Sequence, residues 1–230
     1  MSPVHLLIPA AGSGRRMGAD RNKVLIELLG QPIIAWTLRA AAAAEAVVWL
    51  GLVGQQGDRP ALEEIVNTLD LPKPVAFILG GSTRQESVYN GLQSLPSEAT
   101  RVLIHDGARC LATPDLFDRC AAALTEQSGL VAAVPVKDTI KLVDATLAVE
   151  STPDRQRLWV AQTPQGFEVA LLKQCHRQGL DQGWSVTDDA ALFERCHLPV
   201  QVVPGEETNL KVTTPMDLAI AEFILKQRLG

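Results

Sequence analysis

The chain has 230 residues, 47% of them hydrophobic and 20% charged, with 21 basic and 26 acidic side chains for a net charge of −5. That is enough apolar material for a hydrophobic core without disulfide staples, and too much for a disordered chain. The acidic balance argues against a general nucleic-acid binder, which needs a basic face to displace phosphate counterions. No apolar run reaches the ~20 residues that span a bilayer; the most apolar stretch, Ala40 to Val53, is broken by Glu45 and Gly51.

In chain order, a strand at Val4–Pro9 follows a start that does not resemble a signal or transit peptide. A helix at Pro32–Ala44 precedes a strand at Val47–Val53, and a helix at Pro60–Thr68 precedes a strand at Val75–Leu79. A helix at Arg84–Leu95, a strand at Val102–His105, a helix at Pro114–Gln127 and a strand at Leu130–Pro135 continue the alternation. Helices at Glu168–Arg177 and Asp188–Arg195, a strand at Val200–Val203 and a helix at Pro215–Lys226 complete it. The strands are apolar on both faces, as buried parallel strands are. Thr113-Pro114 and Thr214-Pro215 each place a capping oxygen before a proline at the first helical position. The predicted fold class is α/β, a Rossmann-like, mostly parallel sheet with helices on both faces.

One segment breaks this rhythm. Lys141 to Gln165 shows no helix and no strongly buried strand; it alternates loosely and turns at Pro153-Asp154. It reads as a projecting β-arm, about residues 140–165, within a single domain of residues 1–230. Trp159, Val160 and Phe167 at its far end argue against a disordered loop. The four cysteines form no C-x-x-C pair and read as free thiols of a reducing, cytoplasmic compartment. Cys175-His176 and Cys196-His197 lie in or beside helices at spacings unlike structural zinc sites, so ordinary packing accounts for them.

The first strand runs into Pro9-Ala10-Ala11-Gly12-Ser13-Gly14-Arg15-Arg16-Met17-Gly18, with Lys23 following. Small residues let backbone N–H groups approach a phosphate, and the carboxyl end of a strand is where open α/β sheets bind ligands. The third glycine comes one position late for a dinucleotide fingerprint, and the Gly-Lys-Ser/Thr of a Walker A loop is absent. Solvated charge in a turn is the plain alternative. Three cations at this one place in an acidic protein favour phosphate binding.

The loop pattern resembles the signature of sugar-phosphate nucleotidylyltransferases. Further motifs follow in register: Gly80-Gly81-Ser82-Thr83-Arg84-Gln85-Glu86-Ser87-Val88, His105-Asp106-Gly107-Ala108-Arg109 and Val136-Lys137-Asp138-Thr139-Ile140-Lys141. Leu158-Trp159, Gln162-Thr163-Pro164-Gln165, Thr187-Asp188-Asp189-Ala190 and Asn209-Leu210-Lys211-Val212-Thr213 complete the set. Together they are similar to the 2-C-methyl-D-erythritol 4-phosphate cytidylyltransferase family over nearly the whole chain. The resemblance implies attack by a polyol phosphate on the α-phosphorus of CTP, with pyrophosphate leaving; a ribitol 5-phosphate cytidylyltransferase is the alternative.

By that resemblance, Arg16 and Lys23 are the catalytic cations, and Arg15 is left out of the set. Ala10, Ala11, Gly12, Gly80, Gly81, Ser82, Arg84 and Ser87 bind CTP, Ser87 through its side chain and Arg84 by holding the loop. Asp106, Arg109, Thr139, Arg155, Thr163 and Lys211 serve methylerythritol phosphate, and Asp106 is also the ligand of a divalent cation, Mg²⁺. Cys110 stands where many relatives carry proline, and reads as a small filler. The resemblance also implies a homodimer in which the arm is swapped between sites. Lys211 and Asn209 are expected on one face of a short strand-like run. Thr187, Asp188 and Asp189 are read as helix N-terminal charge rather than as catalysts.

Overall fold

The computed structural model of the chain describes residues 3–12 and 22–229. Its strands are β1 Val4–Pro9, β2 Glu27–Leu28, β3 Gln31–Pro32, β4 Val47–Gly54, β5 Val75–Leu79, β6 Arg101–Ile104, β7 Gly129–Pro135, β8 Leu142–Val143, β9 Val149–Ser151, β10 Trp159–Glu168 and β11 Gln201–Pro204. Its helices are α1 Ile33–Ala43, α2 Arg59–Leu69, α3 Arg84–Gln93, α4 Pro114–Ala123, α5 Val169–Asp181, α6 Asp189–Arg195 and α7 Pro215–Leu229. Seven strands form the central sheet in the order β11-β7-β10-β6-β1-β4-β5. All pairings in it are parallel except those of β10, which runs antiparallel to both β6 and β7.

The pleat sorts each strand's side chains between two cores. Leu6 and Ile8 of β1 face one side with Ile34 and Leu38 of α1 and Phe117 and Cys120 of α4. Leu7 faces the other with Val88 and Leu92 of α3, Leu172 of α5 and Phe193 of α6. A smaller third core tucks Leu225 of α7 against Leu28, Ile33 and Leu111. Apolar strands sealed on both faces are the ones that hydrophobic runs reveal, as β1 shows, and the half-buried edge strand β5 also coincides with the run that predicts it. The caps agree as well: Thr113 accepts from the Leu116 N–H at 3.2 Å, and Thr214 accepts from the Asp217 N–H at 3.2 Å.

β10 departs from the sequence reading. Residues 159–165 belong to a ten-residue strand of the central sheet, and from Gln162 to Phe167 that strand is buried. Its interior carries Gln162, Thr163, Pro164, Gln165 and Gly166, a composition that hides a strand from any hydrophobicity pattern. Gly166 is small because Leu103 crosses it; an added Cβ would sit 2.8 Å from Leu103 Cδ2.

β7 runs out to Pro135 and β10 returns opposite it, Trp159 pairing with Pro135. The segment between them therefore leaves from the carboxyl end of the parallel strands. It carries the exposed two-stranded ribbon of β8 and β9, with Leu142, Val143, Leu147 and Val149 open to solvent.

Candidate active site

The chemistry-bearing residues gather at that same carboxyl end. Beyond β1, the Ala10 N–H donates to Val53 C=O at 2.7 Å. Asn22 ties the next described segment to this tip: its Nδ2 donates to Ala10 C=O and, at 2.8 Å, to Asp58, and its Oδ1 accepts from the Val24 N–H. This fixes the start of a 3₁₀ turn at Lys23–Leu25. A Cβ on Gly12 would meet Lys23 Cε at 3.4 Å, so the lysine stem passes directly by the glycine. Arg15 and Arg16 lie outside the described residues.

The second glycine pair sits beside the first loop. The Gly80 N–H donates to Gly54 C=O at 2.8 Å, and a Cβ on Gly80 would lie 3.5 Å from the Ala11 methyl. Ser87 is buried with both bonds of its hydroxyl used: it accepts from the Gly81 N–H at 3.0 Å and donates to Thr83 C=O at 2.8 Å. Thr83 caps α3 by accepting from the Glu86 N–H, while Glu86 accepts from both the N–H and the hydroxyl of Ser82. A Cβ on Gly81 would fall 2.3 Å from Glu86 Cγ, so this crossing requires glycine. The residues expected at CTP are thus brought together, with one difference. The Arg84 guanidinium turns toward the neighbouring cluster around Asp106.

Asp106, two residues past β6, is met by three cations. Lys211 Nζ lies 2.8 Å from its Oδ2, Arg109 Nε 3.7 Å from the same oxygen and Arg84 Nε 3.6 Å from Oδ1. Burial by itself would raise the carboxyl pKa, but Arg84, then Lys211 and Arg109, hold it well below the usual carboxylate range. Burial also lowers the pKa of Arg109, partly offset by Asp106. Arg84, Arg109 and Lys211 line a cleft of about 200 Å³ together with the carboxylates Asp106 and Asp188 and with Gln162, Thr163 and Gln165. Asp189 pairs with Arg84 from behind, while Arg109 and Lys211 share the one carboxylate of Asp106, which leaves positive charge there for an anion.

The frame behind Asp106 is polar and buried. The Thr163 hydroxyl oxygen accepts from the Asp106 N–H at 3.0 Å and faces His105 Nδ1 at 3.0 Å. His105 Nε2 lies 3.2 Å from Arg109 C=O, which can only accept. The bonding pattern therefore assigns the proton to Nε2, and Thr163 donates to Nδ1. Burial pushes the His105 pKa down to about 4, so the ring is neutral at pH 7. Thr163, expected as a substrate contact, has its hydroxyl committed to this frame.

Some residues of the site had no predicted role. Asn209, fully buried, donates to Thr163 C=O at 2.8 Å and to Gln162 Oε1 at 3.2 Å, and its own C=O accepts from Arg109 Nη1 at 2.7 Å. Residues 208–213 are irregular backbone rather than the strand-like run expected of them, and buried Asn209 anchors that backbone while Lys211 reaches Asp106. Asp188 is a helix cap, as expected, accepting from the Ala191 N–H at 2.9 Å. Asp189 is buried against Arg84, which its reading as helix-terminal charge did not foresee. Only the order of the motifs could have signalled these residues, because their partners are remote in the chain.

Thr139 and Arg155 stand apart from the lining of the Asp106 cleft. Arg155 Nη1 donates to Lys137 C=O at 2.9 Å, and both Thr139 and Arg155 are exposed on the arm. A larger cleft of about 750 Å³ lies at the opposite end of the sheet, between Arg101, Glu126, Glu168 and Lys173. Its charges are mixed and no set of them converges, so it does not compete with the cationic cleft.

Among the described residues no three His, Cys, Asp or Glu side chains converge as a metal cage. Asp106 offers a carboxylate where the three cations meet, and the other carboxylate lining the cleft, Asp188, is engaged as a helix cap. A single hard oxygen donor fits a Mg²⁺ that carries phosphate oxygens and water as its other ligands.

Comparison with known proteins identifies the family. Residues 4–227 match the family model described as IspD, 2-C-methyl-D-erythritol 4-phosphate cytidylyltransferase. The chain is 67% identical to the 2-C-methyl-D-erythritol 4-phosphate cytidylyltransferase of Acaryochloris marina, over 98% of this chain and 95% of that protein. It is 64% identical to the one from Synechocystis sp., over 98% of each chain. The crystal structure of 4-diphosphocytidyl-2C-methyl-D-erythritol synthase from Anaerococcus prevotii superposes with a TM-score of 0.87 at 30% identity, over 98% of this chain and 99% of that one. The cytidylyltransferase from Thermus thermophilus does so with a TM-score of 0.80 at 31% identity, over 97% and 99%. None of these supports the ribitol reading. With its motifs in register, its sheet matched and its cationic cleft at the strand tips, the chain belongs to the 2-C-methyl-D-erythritol 4-phosphate cytidylyltransferase family, and is a nucleotidyltransferase.

Proposed function

We propose that the cleft joins CTP to 2-C-methyl-D-erythritol 4-phosphate by in-line displacement, giving 4-diphosphocytidyl-2-C-methyl-D-erythritol and pyrophosphate. The observation that carries this reading is the ring of Arg84, Arg109 and Lys211 around Asp106, beside two apposed glycine loops. An oxygen of the polyol phosphate attacks the α-phosphorus, and the bond from that phosphorus to the pyrophosphate oxygen breaks, the oxygen keeping its electron pair. The nucleophile is already ionised, so no side chain needs to take a proton.

The task left to the protein is to align two anions that repel each other and to stabilise the charge spread over the transferring group. Lys23, beside Gly12, and Arg16 supply positive charge at the triphosphate. The backbone of Ala10, Ala11, Gly12, Gly80, Gly81 and Ser82 accommodates the nucleotide, with Ser87 setting the shape of the second loop. Arg109 and Lys211 bind the polyol phosphate, held in place by Asp106, whose carboxylate also offers an oxygen to Mg²⁺. When bound, Mg²⁺ would offset the negative charge of the triphosphate.

Thr139 and Arg155, on the arm, complete the site of a second copy in a homodimer. Exposed apolar side chains, Val149 on the arm and Trp159 and Val160 where β10 leaves it, favour a partner there. The four free cysteines suit a reducing cytoplasm. The deciding experiment supplies each nucleoside triphosphate with each of the two polyol phosphates and follows pyrophosphate. Release is expected with CTP and methylerythritol phosphate together, and requires a divalent cation. Ribitol 5-phosphate turned over with comparable kcat/KM would overturn the substrate assignment.

A further inference from the structure

Arg84 lies between two carboxylates, and the mechanism accounts for only one of them. Its Nε faces Asp106 at 3.6 Å, while Nη1 meets Asp189 Oδ2 at 2.8 Å. Asp189 is 1% exposed, so no substrate can reach it directly. Burying a carboxylate is costly unless it is paired and held. Here Gln165 fixes the backbone that carries it, and two side chains face the carboxylate itself. Gln165 of β10 accepts through Oε1 from the N–H groups of Asp189 and Ala190, at 3.1 and 3.0 Å. Its Nε2 donates to Asp188 at 2.8 Å, so one amide clamps the whole start of α6. His176 of α5 stands 3.6 Å from Asp189 Oδ1. The third group is Arg84 itself, reaching across from the first residue of α3.

We propose that Asp189 is a positioning residue: by gripping the far side of the Arg84 guanidinium, it sets the angle and distance at which Arg84 faces Asp106. It thereby aims the polyol-phosphate half of the cleft. This rests on the functional reading above, which places Asp106, Arg109 and Lys211 at that substrate. The geometry gives the reason. The Arg84–Asp106 contact is long, at 3.6 Å, and the Arg84–Asp189 contact is short. Released from Asp189, Arg84 would close on Asp106 and draw its carboxylate away from Lys211 and Arg109. The short ion pair to Asp189 opposes that move. Both carboxyl groups stay ionised in this arrangement: burial would raise the pKa of Asp189, but Arg84 and His176 hold it below the ordinary value.

The test is a double-mutant cycle of Asp189→Asn and Arg84→Gln, with steady-state kinetics for both substrates and the thermal midpoint of each variant. Asp189→Asn is expected to raise KM for methylerythritol phosphate about tenfold, the scale of one lost charge-assisted contact, while KM for CTP stays within about twofold. In the Arg84→Gln background the same change should add nothing, because its effect passes through Arg84. Equal rises in both KM values, or additive effects in the double variant, would assign Asp189 a merely structural role and overturn the proposal. Should Asp189→Asn not fold, Gln165→Ala leaves the ion pair but loosens its clamp, and is expected to show the same split between substrates to a smaller degree. Unchanged kinetics in that variant would count against the proposal. Wild-type protein that released no pyrophosphate from CTP and methylerythritol phosphate would sink the functional reading instead, so the two failures are distinguishable.

Discussion

At the residue scale, the cations stand in two places, and on the proposed function those beside the first glycine loop meet the nucleotide while those around Asp106 meet the polyol phosphate. Lys23 runs past Gly12 at the tip of β1, whereas Lys211 is paired with Asp106 across the cleft. The two lysines should therefore fail differently. Lys23→Ala is expected to lower kcat roughly a hundredfold with the thermal midpoint little changed, the signature of lost transition-state charge stabilisation. Lys211→Ala should act mainly on KM for methylerythritol phosphate. Steady-state kinetics with each substrate varied in turn would show it, and matching kinetic defects in the two variants would refute the division. The motifs singled out Lys23, Asp106 and Lys211 as candidates: Lys23 follows the glycine-rich loop, Asp106 follows a strand end, and Lys211 is named by the family resemblance alone. Asn209, Gln165 and Asp189 were not legible. Each is a short polar residue whose meaning lies in a partner far along the chain, such as Asn209 with Thr163.

At the element scale, the arm is the part the isolated chain leaves unused. It springs from the same end of the sheet as the cleft, yet its Thr139 and Arg155 stand outside the cleft of their own chain. If they complete a partner's site, two defective chains can repair each other. Lys23→Ala and Arg155→Ala proteins, each nearly inactive, should regain about a quarter of wild-type turnover when unfolded and refolded as an equal mixture, since half the dimers then hold one intact site. No recovery on mixing would place Arg155 outside any shared site. The arm was legible as a break in periodicity. The strand that returns from it, β10, was not, because its buried half is built of glutamines, a threonine, a proline and a glycine. Those polar side chains can be buried because Glu206, Asn209 and Asp188 satisfy them across the fold.

At the scale of the whole molecule, the buried ionisable groups set how the fold responds to acid. His105 has a pKa pushed from 6.5 down to about 4 by burial. The unfolded chain then binds a proton that the folded chain refuses, so the contribution of His105 is complete above pH 6.5 and is lost as the pH falls toward 4, a loss of order 3 kcal/mol. His5, also lowered by burial, acts in the same direction. Asp106 and Asp189 are held below their ordinary values. Their contribution is therefore complete above the ordinary carboxylate pKa near 4 and declines as the pH drops further. Urea midpoints measured from pH 8 to pH 3 should fall in two stages, and His105→Gln should remove most of the first. A wild-type profile flat from pH 7 to 4.5 would contradict the buried neutral ring.

The sequence by itself determined the alternating layers, the two-faced core and the strand tip from which the glycine-rich run leaves. Those rest on local physics: apolar runs, capping threonines and glycines have the same meaning whatever lies elsewhere in the chain. Only the tertiary structure decided that β10 lies antiparallel in the sheet, that Arg84 turns from the glycine loop toward Asp106, and that Asp189 stands behind it. These are contacts between residues far apart in sequence. Their free energy exists only once the chain has closed around them, and no short window of residues records it.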